Sequence, residues 1–459
     1  MDIKIKKKLI LEGIVERVDY PNLGQVPIGN EYITVKNSMP GQKIRFVINK
    51  FKKGKAEGRI LEVLQQSPLE IREPSCSIFP SCGGCMYQTM EYETQREMKE
   101  QQVKRLLDPV ISYEYFFEGI KASPAEFRYR NKMEFSFGDA QKDGPLTLGL
   151  HKRGSTYDVL TASDCVLVHE DFTKILSAVL SFFKDDADGE YSYYHKMSHE
   201  GFLRHLLIRR GDATGELLVN LVTSSQGQFD EEAFVQMLLS IDIEGTIVGI
   251  LHIINDSLSD VVKSDETCLL YGQDYLIDRL FDLEFIVTPF SFFQPNSKGA
   301  EVLYTIVQDY IGDIKQSIVY DLFSGTGTIA QVLAGVSKKV IGVEIVQEAV
   351  TAAKENAATN GLSNCEFHAG DVFQVLDEIT ELPDVIVLDP PRDGIHPKAL
   401  PKILAYGVDR IIYVSCKASS FARDLEKFHE AGYRVQRVSG VDQFSQTVHV
   451  EVVAMLARD

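Results

Sequence analysis

The stretch Asp321-Leu322-Phe323-Ser324-Gly325-Thr326-Gly327-Thr328-Ile329 decides how the C-terminal part of this chain folds. The apolar run at 318–322 leads into it, and a helical apolar pattern follows Gly327. A strand, a tight glycine turn and a helix start therefore follow one another directly. Gly325 and Gly327 let the backbone approach a ligand closely, and the helix N-terminus offers amide donors to an anion. Tight strand-to-helix turns also use glycine for purely structural reasons. A dehydrogenase has a similar turn, and Ala330 fills its third small position here, so the turn alone leaves the cofactor open.

Working outward, residues 286–459 alternate strand and helix. Strands are predicted at 319–322, 340–343, 365–369, 385–388 and 411–415, with helices after Gly327, at 347–360 and at 419–431. Two further strands, 433–441 and 449–456, close the pattern, which predicts a doubly wound parallel sheet with an antiparallel edge. Glu344 ends the second strand, where an acid takes ribose hydroxyls. Asp371 follows the third strand, where it meets an adenine amine. Asp389-Pro390-Pro391-Arg392 ends the fourth, and this segment favours methyl transfer from S-adenosylmethionine over hydride transfer. Gln294, in Pro289-Phe290-Ser291-Phe292-Phe293-Gln294-Pro295-Asn296, offers an amide at the same mouth.

Cys416 closes the strand at 411–415, where ligands gather in open α/β sheets. A cysteine there is by default a buried core thiol. With the Asp389–Arg392 segment nearby in the fold, a nucleophile is the stronger reading. Glu451 interrupts the apolar run at 448–456, where an unpaired carboxylate is costly. Burial suits it to proton transfer, while an ion pair is the structural alternative. A thiol and a base are what methylation at carbon 5 of a uracil requires. The ring carbon becomes nucleophilic only after a thiolate adds at carbon 6, and a base must then remove the carbon 5 proton. His449, two residues before Glu451, is read as packing.

Upstream, residues 1–65 read as short strands broken by turns at 20–24 and 40–41, a small β-barrel of the oligonucleotide-binding kind. This segment carries 13 Lys+Arg against 7 Asp+Glu, so it is basic, while the whole chain is at −18. Lys50, Lys52, Lys53 and Lys55 surround Gly54 in a hairpin tip suited to phosphates. Residues 66–285 read as an α+β domain, with a helix at 91–107 carrying Met, Val and Leu on one face. Strands are placed at 128–137, 203–210, 216–223 and 247–255. The acidic run Asp185, Asp186 and Asp188 reads as a solvated loop. Cys76-x5-Cys82-x2-Cys85, with Gly83-Gly84 inside it, is a compact metal-binding spacing, and Cys165 is the fourth thiolate. Four thiolates hold a [4Fe–4S] cluster or zinc.

The chain has 459 residues, more than one domain by length. Its seven cysteines are too few and too odd in number for a disulfide scaffold. Its apolar runs are strand-length, far short of a membrane span. The basic stretch at 4–8 leads into no long apolar core, which places the chain in the cytoplasm. Nothing in the pattern calls for an obligate protein partner.

Taken in order, Cys-Ser-Ile-Phe-Pro-Ser-Cys-Gly-Gly-Cys (76–85), Phe-Arg-Tyr-Arg-Asn-Lys-Met-Glu-Phe-Ser-Phe (127–137), Phe-Phe-Gln-Pro-Asn (292–296), the glycine turn, Val343-Glu344, Gly370-Asp371, Asp389–Arg392, Ser415-Cys416 and His449-Val450-Glu451 resemble the RNA uracil-5 methyltransferases that combine a TRAM domain, a [4Fe–4S] cluster and a Rossmann catalytic domain. The resemblance spans essentially the whole chain. It implies Cys416 as nucleophile and Glu451 as base. It implies Gln294, Phe323, Glu344 and Asp389 at the S-adenosylmethionine site, and Cys76, Cys82, Cys85 and Cys165 at the cluster; Gly325 and Asp371 rest on the fold argument. It implies a TRAM-like barrel at 1–65, a cluster domain at 66–285 and a methyltransferase domain at 286–459. It also implies an RNA partner, 23S ribosomal RNA before transfer RNA, with the target base flipped out and the lysines gripping the backbone. Where the family has Ser-Cys-Asn-Pro this chain has Ser415-Cys416-Lys417-Ala418, Phe444-Ser445 replaces Phe-Pro, and Ser324-Gly325 replaces Cys-Gly. Three readings compete. An amino-group methyltransferase needs no thiol and usually has an aromatic residue where Arg392 stands. A cytosine-5 methyltransferase does need a thiol. A non-catalytic iron–sulfur protein would bind RNA without methylating it.

Overall fold

Alternation of Val, Ile and Phe with charged residues builds the N-terminal sheet of a computed structural model that describes residues 5–184, 191–259 and 261–458. The run Asp185, Asp186 and Asp188 lies outside the described residues. Strands Ile10–Ile14, Arg17–Asp19, Leu23–Ile28, Glu31–Lys36, Lys43–Lys52 and Lys55–Gln65 form one sheet, in the spatial order first, fifth, sixth, fourth, third, second. Val15, Val26, Ile33, Val35, Ile44 and Phe46 fill its core. Lys53 and Gly54, with φ of 51° and 75°, close the hairpin between its two longest strands. Two consecutive left-handed residues match the right-handed twist of a hairpin.

The chain divides into two compact units, each assembled from separated stretches. The first gathers Met1–Pro74, Cys85–Ser123 and Pro390–Asp459; the second gathers Ser75–Gly84 and Pro124–Asp389.

In the first unit, the N-terminal sheet is accompanied by helix Tyr92–Leu107, helix Ala418–Glu430 and strands Phe116–Lys121, Arg410–Ser415, Tyr433–Val441 and Glu451–Arg458. Glu451–Arg458 lies antiparallel between Arg410–Ser415 and Tyr433–Val441. Phe116–Lys121 extends this array in parallel alongside Tyr433–Val441; no periodicity in its sequence announces it. The final strand begins at Glu451 rather than at 449. Helix Tyr92–Leu107 buries Met98, Val103 and Leu107 as its apolar spacing predicts, but it also buries Gln95, Lys99 and Gln102.

In the second unit, seven strands from Lys132–Asp139 to Glu266–Gly272 form a sheet that is antiparallel except where Glu216–Thr223 runs parallel to Thr246–Ile254. Its strand expected at 128–137 starts only at Lys132. Arg128 and Arg130 instead donate their amides to Val166 and Leu167, and Arg128 takes a left-handed φ of 57°. The same unit holds parallel strands in the order Cys365–Ala369, Ser337–Glu344, Ile314–Leu322, Val385–Leu388, with helices Thr328–Ala334 and Gln347–Thr359 following the first two in sequence. Among the described residues, no helix is long and apolar enough to cross a membrane.

Candidate active site

In the second unit the strand Ile314–Leu322 delivers its chain into the glycine turn. The amides of Phe323 and Ser324 both donate to the Val343 carbonyl, at 2.9 and 3.0 Å, which folds the turn back against the neighbouring strand. Phe323 takes a φ of 68°, a costly conformation for a side chain with a Cβ. Gly327, at φ 74°, leaves no room for a side chain, since a Cβ would lie 2.7 Å from the Phe367 ring. Gly325, at φ 53°, has open space where its Cβ would be. One glycine is thus demanded by packing and the other leaves a cradle.

Glu344 braces this turn. Its Oε2 accepts from Gly325 N–H and its Oε1 from Val346 N–H, both at 3.0 Å. Ionised carboxylate oxygens have further lone pairs, so both can still accept from a ligand. Exposed Ile345 and Val346 follow it, an apolar surface beside an acid.

The loop carrying Gln294 is held from beneath by residues that sequence reading missed. Buried Arg209 donates through Nη1 to the carbonyls of Thr288, Pro289 and Ser291 at 2.7, 3.3 and 2.6 Å. Asn131 donates to the Gln294 carbonyl at 2.9 Å and to Ser297 Oγ at 2.8 Å. Thr326 Oγ1 in turn donates to the Phe292 carbonyl at 3.0 Å, tying the loop to the glycine turn. The Gln294 side chain is buried and hydrogen-bonded to the Tyr304 phenol. Of the two phenylalanines, Phe293 packs against Phe285 while Phe292 is exposed.

Three carboxylates meet here. Asp321 is fully buried; Oδ2 accepts from Ala330 N–H at 3.0 Å, and Oδ1 has no partner among the described residues. Burial first, and then the charge of Asp389, push Asp321 up to about 8. Burial pushes Asp389 up to about 7. An orphaned buried acceptor with two further acids nearby is a site short of positive charge, and it fits a cofactor carrying a sulfonium and an ammonium. Asp371 stands apart from this use. It is exposed, and its Oδ1 accepts from Phe373 N–H at 2.8 Å, capping the short helix Val372–Val375.

In the first unit, Ser415 pairs with Val452 across the antiparallel ladder. The next step of this register sets Cys416 against Glu451, residues far apart in sequence. Neighbouring side chains at such positions lie about 5 Å apart. Glu451 is buried, 4% exposed, and Cys416 is half-buried directly ahead of helix Ala418–Glu430. The positive end of a helix favours an anion. His449 lies outside the strand, its ring edge-on to Phe444 at 6.1 Å, consistent with packing. Arg392 is exposed, and its carbonyl accepts from Ser420 Oγ at 2.6 Å.

The segment leading to Glu451 is anchored by helix Tyr92–Leu107. Lys99 Nζ donates to Asp442 Oδ1 at 2.6 Å, with both side chains fully buried. Gln95 exchanges two hydrogen bonds with Gln446, at 3.0 and 3.2 Å, and the Gln446 carbonyl accepts from the amides of Met86 and Tyr87.

All seven cysteines are thiols rather than disulfides, and Cys76, Cys82, Cys85 and Cys165 are buried. Among the described residues no three His, Cys, Asp or Glu side chains are arranged to hold a metal ion. Burial pushes Cys76 and Cys82 upward and Cys165 up to about 11. Arg153 wraps their loop, donating to the carbonyls of Pro80 and Cys82 at 3.1 and 2.9 Å, and Gly84 N–H donates to Cys82 Sγ at 3.4 Å.

A family profile described as tRNA (uracil-5-)-methyltransferase matches residues 255–459. The chain is 46% identical to an uncharacterized RNA methyltransferase of Clostridium tetani, covering 97% of this chain and 96% of that one. It is 44% identical to another such protein of Caldanaerobacter subterraneus, covering 97% and 98%. Among solved structures it is similar to the Pyrococcus abyssi tRNA (uracil-54, C5)-methyltransferase in complex with S-adenosyl-L-homocysteine, with a TM-score of 0.75 and 25% identity over 97% of this chain and all of that one.

Proposed function

This chain belongs to the RNA uracil-5 methyltransferase family, and from that premise we propose that it methylates carbon 5 of a specific uridine in 23S ribosomal RNA, with Cys416 as nucleophile and Glu451 as base. The observation that carries the proposal is the strand register that sets Cys416 against Glu451. Cys416 adds to carbon 6, and the electron pair displaced from the ring makes carbon 5 nucleophilic. Bound S-adenosylmethionine supplies an electrophilic methyl. Glu451 then takes the carbon 5 proton, the ring double bond re-forms and the Cys416 thiolate leaves; Glu451 passes its proton to solvent, so the base ends with a methyl in place of its carbon 5 hydrogen and the enzyme returns to its starting state.

Gln294, Phe323, Gly325, Glu344 and Asp389 would hold the cofactor. The orphaned oxygen of Asp321 and the cradle at Gly325 support this assignment. Asp371 would contribute only through its remaining acceptor capacity. Residues 1–65 would act as a TRAM-like barrel whose exposed hairpin, Phe51 to Lys55, grips the RNA backbone. Residues 66–285 would form the cluster domain and 286–459 the methyltransferase domain. Cys76, Cys82, Cys85 and Cys165 would ligate a [4Fe–4S] cluster, with zinc as the other candidate; the compact Cys76-x5-Cys82-x2-Cys85 spacing supports such a site. Metal binding would deprotonate them. This chemistry belongs in the cytoplasm, where RNA and reduced thiols coexist.

Ribosomal RNA rather than transfer RNA follows from the resemblance to TRAM-plus-cluster enzymes; the solved tRNA methyltransferase keeps transfer RNA as the second reading. The test uses anaerobically purified wild type and Cys416→Ala with methyl-labelled cofactor and unmodified 23S ribosomal RNA or transfer RNA, read by nucleoside mass spectrometry. The expected result is label in 5-methyluridine of 23S ribosomal RNA with wild type only. Undiminished transfer by Cys416→Ala would overturn the thiol mechanism, and label only in transfer RNA would overturn the substrate assignment.

A further inference from the structure

The segment 390–395 of the first unit turns sharply back on itself. Gly394 N–H donates to the Pro391 carbonyl at 2.7 Å, which closes a β-turn with Arg392 and Asp393 at its tip. Helix Ala418–Glu430 holds the backbone of this tip. Ser420 Oγ donates to the Arg392 carbonyl at 2.6 Å, Arg423 Nη2 donates to the Asp393 carbonyl at 2.5 Å, and Ile395 N–H donates to Asp424 Oδ2 at 2.9 Å. Ser420, Arg423 and Asp424 stand at i, i+3 and i+4, so one face of the helix receives the whole turn.

Asp424 is the hub of this clasp. Its Oδ2 also accepts from the Tyr413 hydroxyl at 2.8 Å, and its Oδ1 accepts from Arg423 Nε and Nη2 at 3.0 and 2.7 Å. The buried carboxylate thus ties the turn and the helix to strand Arg410–Ser415, which delivers Cys416. Gly394 packs so closely on it that a Cβ would lie 2.3 Å from Arg423 Nη2 and 2.5 Å from Asp424 Oδ2. Lys417, which directly follows Cys416, accepts at its carbonyl from Ser420 N–H at 2.8 Å. Ser420 therefore links Arg392 to the turn of the nucleophile.

The side chains at the tip are left free where the backbone is clamped. Arg392 is exposed, and its guanidinium has no hydrogen bond or ion pair among the described residues. Asp393 projects into solvent, with Lys417 Nζ 3.6 Å from its Oδ1 to offset its charge. A surface arginine without a ligand needs no clamped backbone beneath it. A guanidinium on a preset turn suits a phosphate, which it meets with two parallel N–H donors. We propose that Arg392 binds an RNA backbone phosphate beside the target uridine, and that Asp424 is the positioning residue that presets its turn. This rests on reading the chain as an RNA methyltransferase with Cys416 as nucleophile. It adds a phosphate contact next to the nucleophile to the one assigned to the basic hairpin.

The experiment measures equilibrium binding of unmodified 23S ribosomal RNA and of transfer RNA over a salt series, with single-turnover methylation and thermal melting alongside. It compares full-length wild type, Arg392→Gln, Asp424→Asn, the double variant and Cys416→Ala. Arg392→Gln should weaken binding of the methylated RNA by about tenfold, the scale of one charge-assisted hydrogen bond. It should also lower the slope of log affinity against log salt by about one, the mark of one lost phosphate contact, with melting unchanged. Asp424→Asn keeps the Arg392 charge, so it should weaken binding by about threefold, the scale of re-ordering one freed side chain, with the slope unchanged. Combined with Arg392→Gln it should weaken binding no further, because it acts through Arg392. Wild-type affinity and slope in Arg392→Gln would overturn the phosphate contact, and additive losses in the double variant would overturn the positioning role of Asp424. Methylation by Cys416→Ala at the wild-type rate would overturn the thiol reading and leave the Arg392 result standing. No salt-dependent binding of either RNA by wild type would overturn both.

Discussion

The glycine turn of the second unit is braced over short distances in sequence. Gly325 and Glu344 are 19 residues apart, and Ala330 and Asp321 are 9 apart. In the first unit the segment leading to Glu451 is braced over nearly the whole chain: Lys99 and Asp442 are 343 residues apart, and Gln95 and Gln446 are 351. A locally braced turn can keep its shape while the rest of the molecule loosens. A region braced by distant partners has its shape only when the whole unit is folded, so its geometry and its stability should fail together.

The largest expected effect tests that coupling. Lys99→Ala would leave Asp442 buried without its cation, and breaking a buried ion pair in this way costs about 3–5 kcal/mol. Denaturant unfolding should show the loss, and methyl transfer should fall with it while S-adenosylmethionine binding persists. Replacing both partners at once, Lys99→Met with Asp442→Leu, should recover most of the stability, because no charge is left unpaired. A Lys99→Ala protein with wild-type stability would break the comparison at its stronger end.

A smaller effect separates the two glycines. Gly327→Ala places a methyl 2.7 Å from the Phe367 ring and 2.9 Å from the Ala353 Cβ, in addition to left-handed strain. Overpacking and strain together should cost roughly 3 kcal/mol of stability. Gly325→Ala meets no protein atom within 4 Å, so it should lose only the roughly 1 kcal/mol of backbone preference while weakening cofactor binding far more than Gly327→Ala does per unit of lost stability. Calorimetric melting alongside cofactor titration distinguishes the two. Equal stability losses would mean that local packing does not divide their roles.

The same contrast in contact range decides what could be read from the sequence. Strands Cys365–Ala369 and Val385–Leu388 have the expected bounds because short apolar runs between turn residues carry their own signal. The turn at Gly325 and Gly327 was legible for the same reason. Strand Phe116–Lys121 was not, since it owes its existence to pairing with Tyr433–Val441. Nothing in the sequence of helix Tyr92–Leu107 marks Gln95 and Lys99 as buried, because their partners Gln446 and Asp442 meet them only in the folded unit. Arg209 and Asn131 share no motif with the loop they support. Asp371 shows the reverse case: a carboxylate after a strand is as well suited to capping a helix as to meeting a ligand, and here one of its oxygens does the former.

The smallest predicted effect concerns pH and bears on the locally braced site alone. Asp321 and Asp389 are pushed up to about 8 and about 7, far above an unperturbed aspartate. A carboxyl whose folded value is raised destabilises the fold as pH rises, because the unfolded chain ionises first; the loss grows from near pH 4 and is complete above the folded value. Cofactor binding has the opposite sign. A sulfonium and an ammonium favour the ionised carboxylates, so binding expels their protons and affinity should rise between pH 6 and 8, by roughly tenfold per pH unit for one linked proton, then level off. Calorimetric titration in two buffers of different ionisation enthalpy counts the protons released. Asp321→Asn should release fewer and flatten the profile, while Lys99→Ala, whose lesion lies among the long-range contacts, should release as many as wild type. A pH-independent affinity, or an unchanged slope in Asp321→Asn, would mean that these acids do not face the cofactor's charge.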